Sequence, residues 1–408
     1  MTQKIAPMTR QEILQKLEND RELWDRIDRS VDELCRCPRK RAALIRVAAQ
    51  DAAVRRMIQH SDALAAQTPA DLALANFLYH LTSRVSDGIS MQIYELGLCH
   101  EMLAYAAWDF AGKPAETVRE EIREELIASN LQWADKPIIL GPHWRTYDHF
   151  GFDKAGNRVV LRVCEAYRRS LPDGAVRQDL AVCMALVRRY HADLLKRPYH
   201  TNRREKPGEG LYMTQKIAPM TQQEIRQALE NDRELWDRID RSVDELCRCP
   251  QKRAALAQLA EQDDAVCRMI QHSYRLAAQT PADMALATYL HHMIGPACDE
   301  ISMQIDELGL CHEMLAYAAW DFAGKPAETV RAEIREELIA SNLQWAKKPV
   351  LLPPAVLKEA LGRDKYLYRT ALRICEVYRR SLPAGAVRQD LSVCMALVRR
   401  NLAPLLKK

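Results

Sequence analysis

Three histidines in each half of the chain are the first residues that could do chemistry. His60, His80 and His100 lie twenty residues apart, and each has a counterpart 212 residues later. A zinc hydrolase helix places two histidines four residues apart, and a di-iron bundle uses Glu-x-x-His, but none of the three fits either spacing. His100 also falls on an apolar helical stripe, where a buried neutral histidine bonded to a neighbour is the usual arrangement. We therefore expect these histidines to be structural, with a metal site as the alternative.

Two closely spaced cysteines are the second feature that could bind a metal. Cys35-Arg-Cys37 recurs as Cys247-Arg-Cys249, and two such thiolates could coordinate zinc. A structural zinc site usually has a second closely spaced pair, and only Cys99-His100 could take that place. Cysteines at a helix end are more often packed like small apolar residues. We predict no bound cofactor, and the alternative is a metal-binding or small-molecule-processing enzyme that uses the His and Cys positions.

Acidic and aromatic residues give weaker indications of an enzyme. An acidic run at 120–125 resembles the paired carboxylates that hold magnesium between helices, but Ala332 replaces its first glutamate in the second half. A solvated acidic helix face is the simpler interpretation. A polar cluster occurs in the first half alone and consists of His143, Tyr147, Asp148 and His149. No phosphate-binding glycine loop and no nucleophile with a recognisable base accompanies these residues.

The net charge of +4 conceals two basic segments. Residues 158–206 hold twelve Lys/Arg against five Asp/Glu, and residues 363–408 hold eleven against three. The rest of the chain is therefore acidic. Arginines spaced along one helix face can neutralise successive negative charges of a partner. The arginines predicted to contact an acidic partner are Arg168, Arg169, Arg177, Arg188, Arg189, Arg379, Arg380, Arg388, Arg399 and Arg400.

That partner could belong to either of two classes. A protein partner is the main prediction, and nucleic acid is the second, because guanidinium groups along a helix also neutralise phosphates. No helix-turn-helix signature or base-stacking aromatic motif supports nucleic acid. The basic helices could instead pack against the acidic helix at 116–125 of the same half, which would neutralise them internally. We predict a non-enzymatic interaction or scaffold protein.

The elements that carry these residues are predicted to be helices. Thr9-Arg-Gln-Glu12 is a capping box, and an apolar stripe from Ile13 to Leu34 predicts one helix of about 26 residues that Pro38 ends. Further helices are predicted over 39–67, either continuous or broken near Asp51, from Thr68 onward, and over 89–110, 115–134, 159–170 and 174–196. The segment 138–160 predicts a small hairpin, whereas its counterpart in the second half favours a helical turn.

The chain contains one unit written twice. The first eight residues, MTQKIAPM, return at 213–220, and RELWDRIDRSVDELCRCP at 21–38 returns at 233–250. We predict an all-α protein with two tandem copies of a bundle of about seven helices, over 1–206 and 213–408 with a linker at 207–212. Identical units often pair about a twofold axis, so the two copies are expected to pack on each other as a pseudo-dimer.

Composition bounds the environment of the protein. Hydrophobic residues make up 48% and charged residues 28%, so the chain can bury a core. No apolar run is long enough to span a membrane, and the N-terminus lacks the apolar core of a secretory signal. Cys99, Cys164 and Cys183 lie within apolar helical patterns, where a thiol behaves as a small hydrophobic residue. This placement indicates reduced thiols and a cytoplasmic location.

Overall fold

The computed structural model describes residues 3–5, 7–136, 138–140, 154–190, 216–348, 350–351 and 365–407. The chain divides into two compact units, Met1–His200 and Thr201–Lys408. In the described ranges both units are helical, and their strands are two short antiparallel pairs. The prediction of an all-α fold is confirmed. The linker at 207–212 lies outside the described residues.

The same order of elements occurs in both units. The first unit contains α1 (Arg10–Asn19), α2 (Arg21–Arg36), α3 (Pro38–Ala65), α4 (Pro69–Glu95), a 3-10 helix (His100–Tyr105), α5 (Ala115–Leu131), α6 (Lys154–Ser170) and α7 (Ala175–Tyr190). The second contains α8 (Gln222–Asn231), α9 (Arg233–Arg248), α10 (Pro250–Ala277), α11 (Pro281–Glu307), a 3-10 helix (His312–Tyr317), α12 (Ala327–Leu343), α13 (Lys365–Ser381), α14 (Ala386–Asn401) and α15 (Ala403–Lys407).

The first predicted helix is in fact two helices. The capping box is present, because the Thr9 hydroxyl accepts a hydrogen bond from the Glu12 amide and the Glu12 carboxylate accepts one from the Thr9 amide. Asp20, which interrupts the apolar stripe, ends α1 and caps α2 by accepting a hydrogen bond from the Leu23 amide at 3.0 Å. Pro38 then begins α3, where its missing N–H costs nothing.

The start of a new helix predicted at residue 89 is also wrong. Helix α3 continues through Asp51 without a break, and α4 runs unbroken from Pro69 to Glu95, so two predicted helices are one. Gly97, with φ +70°, stops α4 in a backbone conformation that favours glycine. The residues that follow form the 3-10 helix, which rotates His100 out of the apolar stripe. His100 is exposed and does not lie in the core.

The core of each unit lies where the two longest helices meet the two basic ones. In the first unit α3 packs along α4, and α6 and α7 pack against them. Phe77, Leu81 and Val85 of α4 are at most 1% exposed, which is why this helix is apolar on nearly every side. Helix α5 packs on α1 and α2 instead. The basic helices therefore keep one apolar face inside and one charged face outside.

The described ends of the segment 138–160 do not form a hairpin with each other. Ile138–Leu140 is a strand that pairs antiparallel with Gln3–Ile5, near the start of the chain. Residues 154–160 are already the first turns of α6. In the second unit Val350–Leu351 pairs with Lys216–Ile217 in the same way. Residues 141–153 and 352–364, which include the polar cluster at 143–149, lie outside the described residues.

None of the helices in the described ranges combines the length and the apolar character that crossing a membrane requires.

All twelve cysteines are free thiols. Cys164 and Cys183 are completely buried, and burial raises the pKa of both thiols. These two cysteines act as small apolar core residues, as predicted.

Candidate functional site

A carboxylate at the centre of three arginines organises the basic surface of the first unit. Glu165 lies three and four residues before Arg168 and Arg169 on α6, so all three side chains project from one face. Arg168 donates two hydrogen bonds to Glu165, from Nε at 3.2 Å and from Nη2 at 2.7 Å. Arg169 Nε donates a third at 3.1 Å, and Arg188 Nη2 of α7 lies 3.8 Å from the same carboxylate. We call these four residues the first arginine cluster.

The second arginine cluster consists of Glu376, Arg379, Arg380 and Arg399. Arg379 donates to Glu376 from Nε at 3.0 Å and from Nη2 at 2.8 Å, and Arg380 Nε donates at 2.9 Å. The hydrogen bonds from Arg379 and then Arg380 lower the pKa of Glu376 to about 2. In the first cluster the hydrogen bonds from Arg168 and then Arg169 also lower the pKa of Glu165. Both carboxylates stay charged at neutral pH, so each cluster carries three positive charges and one negative.

These clusters are exposed enough to meet a partner. The side chains of Arg169 and Arg188 are 58% and 55% exposed, and that of Arg380 is 74% exposed. The central carboxylates are far less exposed, at 18% for Glu165 and 24% for Glu376. Each carboxylate therefore holds the guanidinium groups in place through hydrogen bonds, while the arginine side chains remain exposed to solvent. Such fixed guanidinium groups lose less conformational entropy when they bind an anion.

The predicted arginine stripe is shorter than the sequence suggests. Arg177 Nη1 donates to the Asp173 carboxylate at 2.8 Å and lies 3.4 Å from the Leu171 carbonyl oxygen. Its counterpart Arg388 contacts the Leu382 carbonyl oxygen at 3.5 Å. Both arginines thus support the loop between the two basic helices. They belong to the predicted set, but the structure does not bring them into the clusters.

The last predicted arginine of each unit has a different environment. The Arg189 guanidinium lies 5.6 Å from the centre of the Tyr190 ring. Arg400 Nε lies 2.8 Å from the carboxylate of Glu300, which is 3% exposed. Gly88 occupies the position of Glu300 in the first unit. The two units therefore present their terminal arginine doublets differently.

The alternative that the basic helices pack against the acidic helix at 116–125 is wrong, because α5 packs on α1 and α2. Arg119 of α5 pairs with Asp28 and Asp32 of α2, and Arg123 also reaches Asp28. The ion pairs of the predicted arginines in the first unit go to Glu165 and Asp173 rather than to the segment 116–125. Helix α5 keeps an exposed acidic face, as the sequence predicts.

Two partly buried contacts that the sequence did not reveal hold the basic helices in place. Asp179, 6% exposed, accepts two hydrogen bonds from Arg56 of α3, both at 2.7 Å. The Tyr167 hydroxyl and His60 Nε2 are 2.7 Å apart, which ties α6 to α3 beside the cluster. The second unit repeats both contacts through Asp390 with Arg268 and Tyr378 with His272. These contacts determine where the arginine doublets emerge.

The residues considered for metal binding lie apart from one another. His60 is engaged by Tyr167, His80 is buried in α4, and His100 is exposed on the 3-10 helix. Cys35 lies in the last turn of α2 and Cys37 precedes α3; both are half-buried. Across the described ranges, no three His, Cys, Asp or Glu side chains are grouped to hold a metal ion.

His292, the counterpart of His80, stacks on a tyrosine. Its ring lies 4.5 Å from that of Tyr368, with 20° between the planes. Its Nε2 atom is buried and forms no hydrogen bond within the described part of the chain. Burial, with a smaller effect of the neighbouring His291, lowers the pKa of His292 to about 4. This histidine is a neutral packing residue at pH 7.

Comparison of the chain with models of known protein families, with curated proteins and with solved structures finds no match.

Proposed function

We propose that this protein is a non-enzymatic interaction or scaffold protein that binds an acidic segment of a partner protein. The observation that carries the proposal is the carboxylate-centred arginine cluster, which occurs once in each unit on the C-terminal helices. Guanidinium groups match carboxylates and phosphates through paired hydrogen bonds, and fixed guanidinium groups bind them best. Each cluster supplies three such groups at the surface.

A protein partner is favoured over nucleic acid by the layout of the charges. A nucleic-acid surface supplies cations along the whole phosphate backbone and gains affinity with each one. Here the cations are gathered around one carboxylate, and Arg177 and Arg388 are held at the loop instead of extending the row. A compact site of net charge about +2 suits one or two acidic side chains.

Binding by the full chain to a labelled twelve-residue glutamate peptide tests the proposal. Fluorescence anisotropy should detect binding at low salt that weakens as salt is added. Replacing Arg379, Arg380 and Arg399 with glutamine should remove the second site and halve the peptide bound per chain at saturation, because the first cluster remains. The matched control replaces three exposed arginines outside the clusters: Arg36, Arg55 and Arg248.

Three outcomes would contradict the proposal. Absence of peptide binding at low salt would remove the acidic partner altogether. An equal loss in the control variant would show that total charge, not the cluster, is responsible. Tighter binding to a twelve-nucleotide single strand than to the peptide would assign the clusters to nucleic acid instead. Circular dichroism of each variant checks that the helices are intact.

The arrangement of the units is a separate part of the proposal. We propose that they arose by tandem duplication and that the two copies pack on each other as a pseudo-twofold pair. The near-identity of their sequences supports this proposal. Small-angle scattering of the full chain tests it, since two packed units scatter as one body and two separate units give a larger radius of gyration. The cytoplasmic location stays a prediction.

A further inference from the structure

The two arginine clusters differ in which guanidinium is engaged. In the first, Arg188 lies 3.8 Å from the central Glu165. Arg399 occupies the same position in the second, and within the described residues it forms no ion pair and no hydrogen bond. Arg399 lines an open depression of about 510 Å³ between α13 and α14. The lining residues are Glu376, Arg379, Arg380, Ser392, Met395 and Arg399.

Other arginines engage the carboxylates on the elements around Arg399. Glu376 is already occupied by three hydrogen bonds from Arg379 and Arg380. The next residue, Arg400, is drawn to the buried Glu300 and also lies 3.3 Å from the Gln304 side-chain oxygen. Glu300 therefore holds the end of α14 through Arg400 and takes no part in the depression. In the first unit Gly88 leaves Arg189 without that carboxylate.

The charged and polar groups that line the depression favour an anion with more than one negative charge. Three guanidinium groups against one carboxylate leave a surplus of two positive charges. Ser392 uses its hydroxyl hydrogen on the Arg388 carbonyl oxygen at 2.8 Å, so the guanidinium groups are the remaining donors to a ligand among the lining residues. Met395 is 1% exposed and gives the floor an apolar part. A carboxylate would neutralise half of the surplus, whereas a phosphate monoester carries about −1.5 to −2 at pH 7.

We propose that this depression in the second unit binds a phosphate monoester dianion, such as a phosphorylated serine in the acidic partner segment. The inference rests on the proposed function and names the group that the second cluster prefers. Arg399 supplies the free guanidinium, while Arg379 and Arg380 supply donors already oriented by Glu376. A phosphate oxygen between Arg399 and Arg380 would receive hydrogen bonds from both helices.

Matched peptides and small anions provide the test with the full chain. One acidic peptide is prepared with phosphoserine, with aspartate and with serine at its centre, and each is titrated at pH 8 by calorimetry. We expect the phosphoserine peptide to bind about tenfold more tightly than the aspartate peptide. Inorganic phosphate and dimethyl phosphate, a monoanion, are titrated alongside. Binding of inorganic phosphate alone would identify a free-anion site, and binding only within the peptide would identify a phosphorylated segment.

A single substitution connects the preference to Arg399. Arg399→Gln should abolish the advantage of phosphoserine over aspartate and leave weaker binding of both peptides. Arg248→Gln, an exposed arginine of α9 in the same unit, should leave the advantage unchanged. Loss of helicity in Arg399→Gln would be seen by circular dichroism, and Arg399→Lys then serves as the second variant, with part of the advantage retained.

The outcomes separate this inference from the proposed function. If all three peptides bind equally and their binding depends on the arginine clusters, the dianion preference is wrong and the acidic partner stands. If inorganic phosphate binds through Arg399 while the acidic peptides do not bind, the anion site stands and the proposed function is wrong. Equal affinity for phosphate and dimethyl phosphate would overturn the charge argument.

Discussion

His292 should make the second unit lose stability as the pH falls. Its pKa is lowered from 6.5 to about 4 because burial disfavours the protonated ring. The unfolded chain then binds the proton more readily than the folded chain, so the stability is full above pH 6.5 and is lost between pH 6.5 and 4. At pH 4.5 the linkage relation gives a loss of about 2–3 kcal/mol from this residue alone.

The substitution His292→Phe isolates that contribution. Phenylalanine keeps an aromatic ring against Tyr368 and removes the titrating nitrogen. Hydrogen exchange in increasing urea, followed on peptides from α11 and α13, gives the free energy of unfolding of this unit at pH 7.5 and at pH 4.5. Between these values the variant should lose about 2–3 kcal/mol less than the wild type, because other groups titrate equally in both.

The control is Met293→Leu, a neighbouring core residue that does not titrate. It should lower the stability by less than about 1.5 kcal/mol at both pH values and leave the pH dependence as in the wild type. If His292→Phe and the wild type lose the same stability between pH 7.5 and 4.5, water reaches the imidazole. The reasoning from burial would then be refuted.

Three substitutions in the first unit test its packing and its helix ends. A methyl group at Gly88 would lie 2.3 Å from a Tyr190 ring carbon, so Gly88→Ala should lower the free energy of unfolding by about 1–3 kcal/mol. Tyr190→Ala in the same chain should remove that extra cost, and two additive losses in thermal unfolding would contradict the contact. Asp20→Ala should cost about 1 kcal/mol in urea unfolding through loss of the α2 cap, and no change would mean that water replaces it. Ser30→Ala should cost about 1–3 kcal/mol, because the buried Ser30 hydroxyl accepts from the Cys99 amide at 2.9 Å; retained exchange protection of that amide would count against this.

Helical periodicity predicted which parts of the chain are helical but not where each helix ends. In the sequence Asp20 is one polar residue within an apolar stripe, and only its side-chain hydrogen bond shows that it is a cap. The stripe that predicted His100 in the core continues past Gly97, where the backbone changes to a 3-10 helix and the spacing no longer applies. Tertiary packing keeps α4 continuous where the sequence pattern indicated two helices.

The arginine doublets were predicted as a surface, but their organisation was not. Glu165 lies three and four residues before Arg168 and Arg169, and this spacing is visible in the sequence. It could have identified the central carboxylate, which the charge totals concealed. The contact between Arg56 and Asp179 joins positions 123 residues apart, and no local pattern in a single sequence indicates such a contact.

The exchange of Gly88 for Glu300 constrains how the two nearly identical halves of the gene can recombine. Gene conversion that copied only the α11 coding segment over that of α4 would place a carboxylate against the Tyr190 ring. The reverse event would leave Arg400 without its buried anion. Conversion tracts that carry the codons of both the fourth and the seventh helix of a half, or of neither, would yield a well-packed product. These distant codons should therefore be inherited as a set, even where the intervening sequence is homogenised.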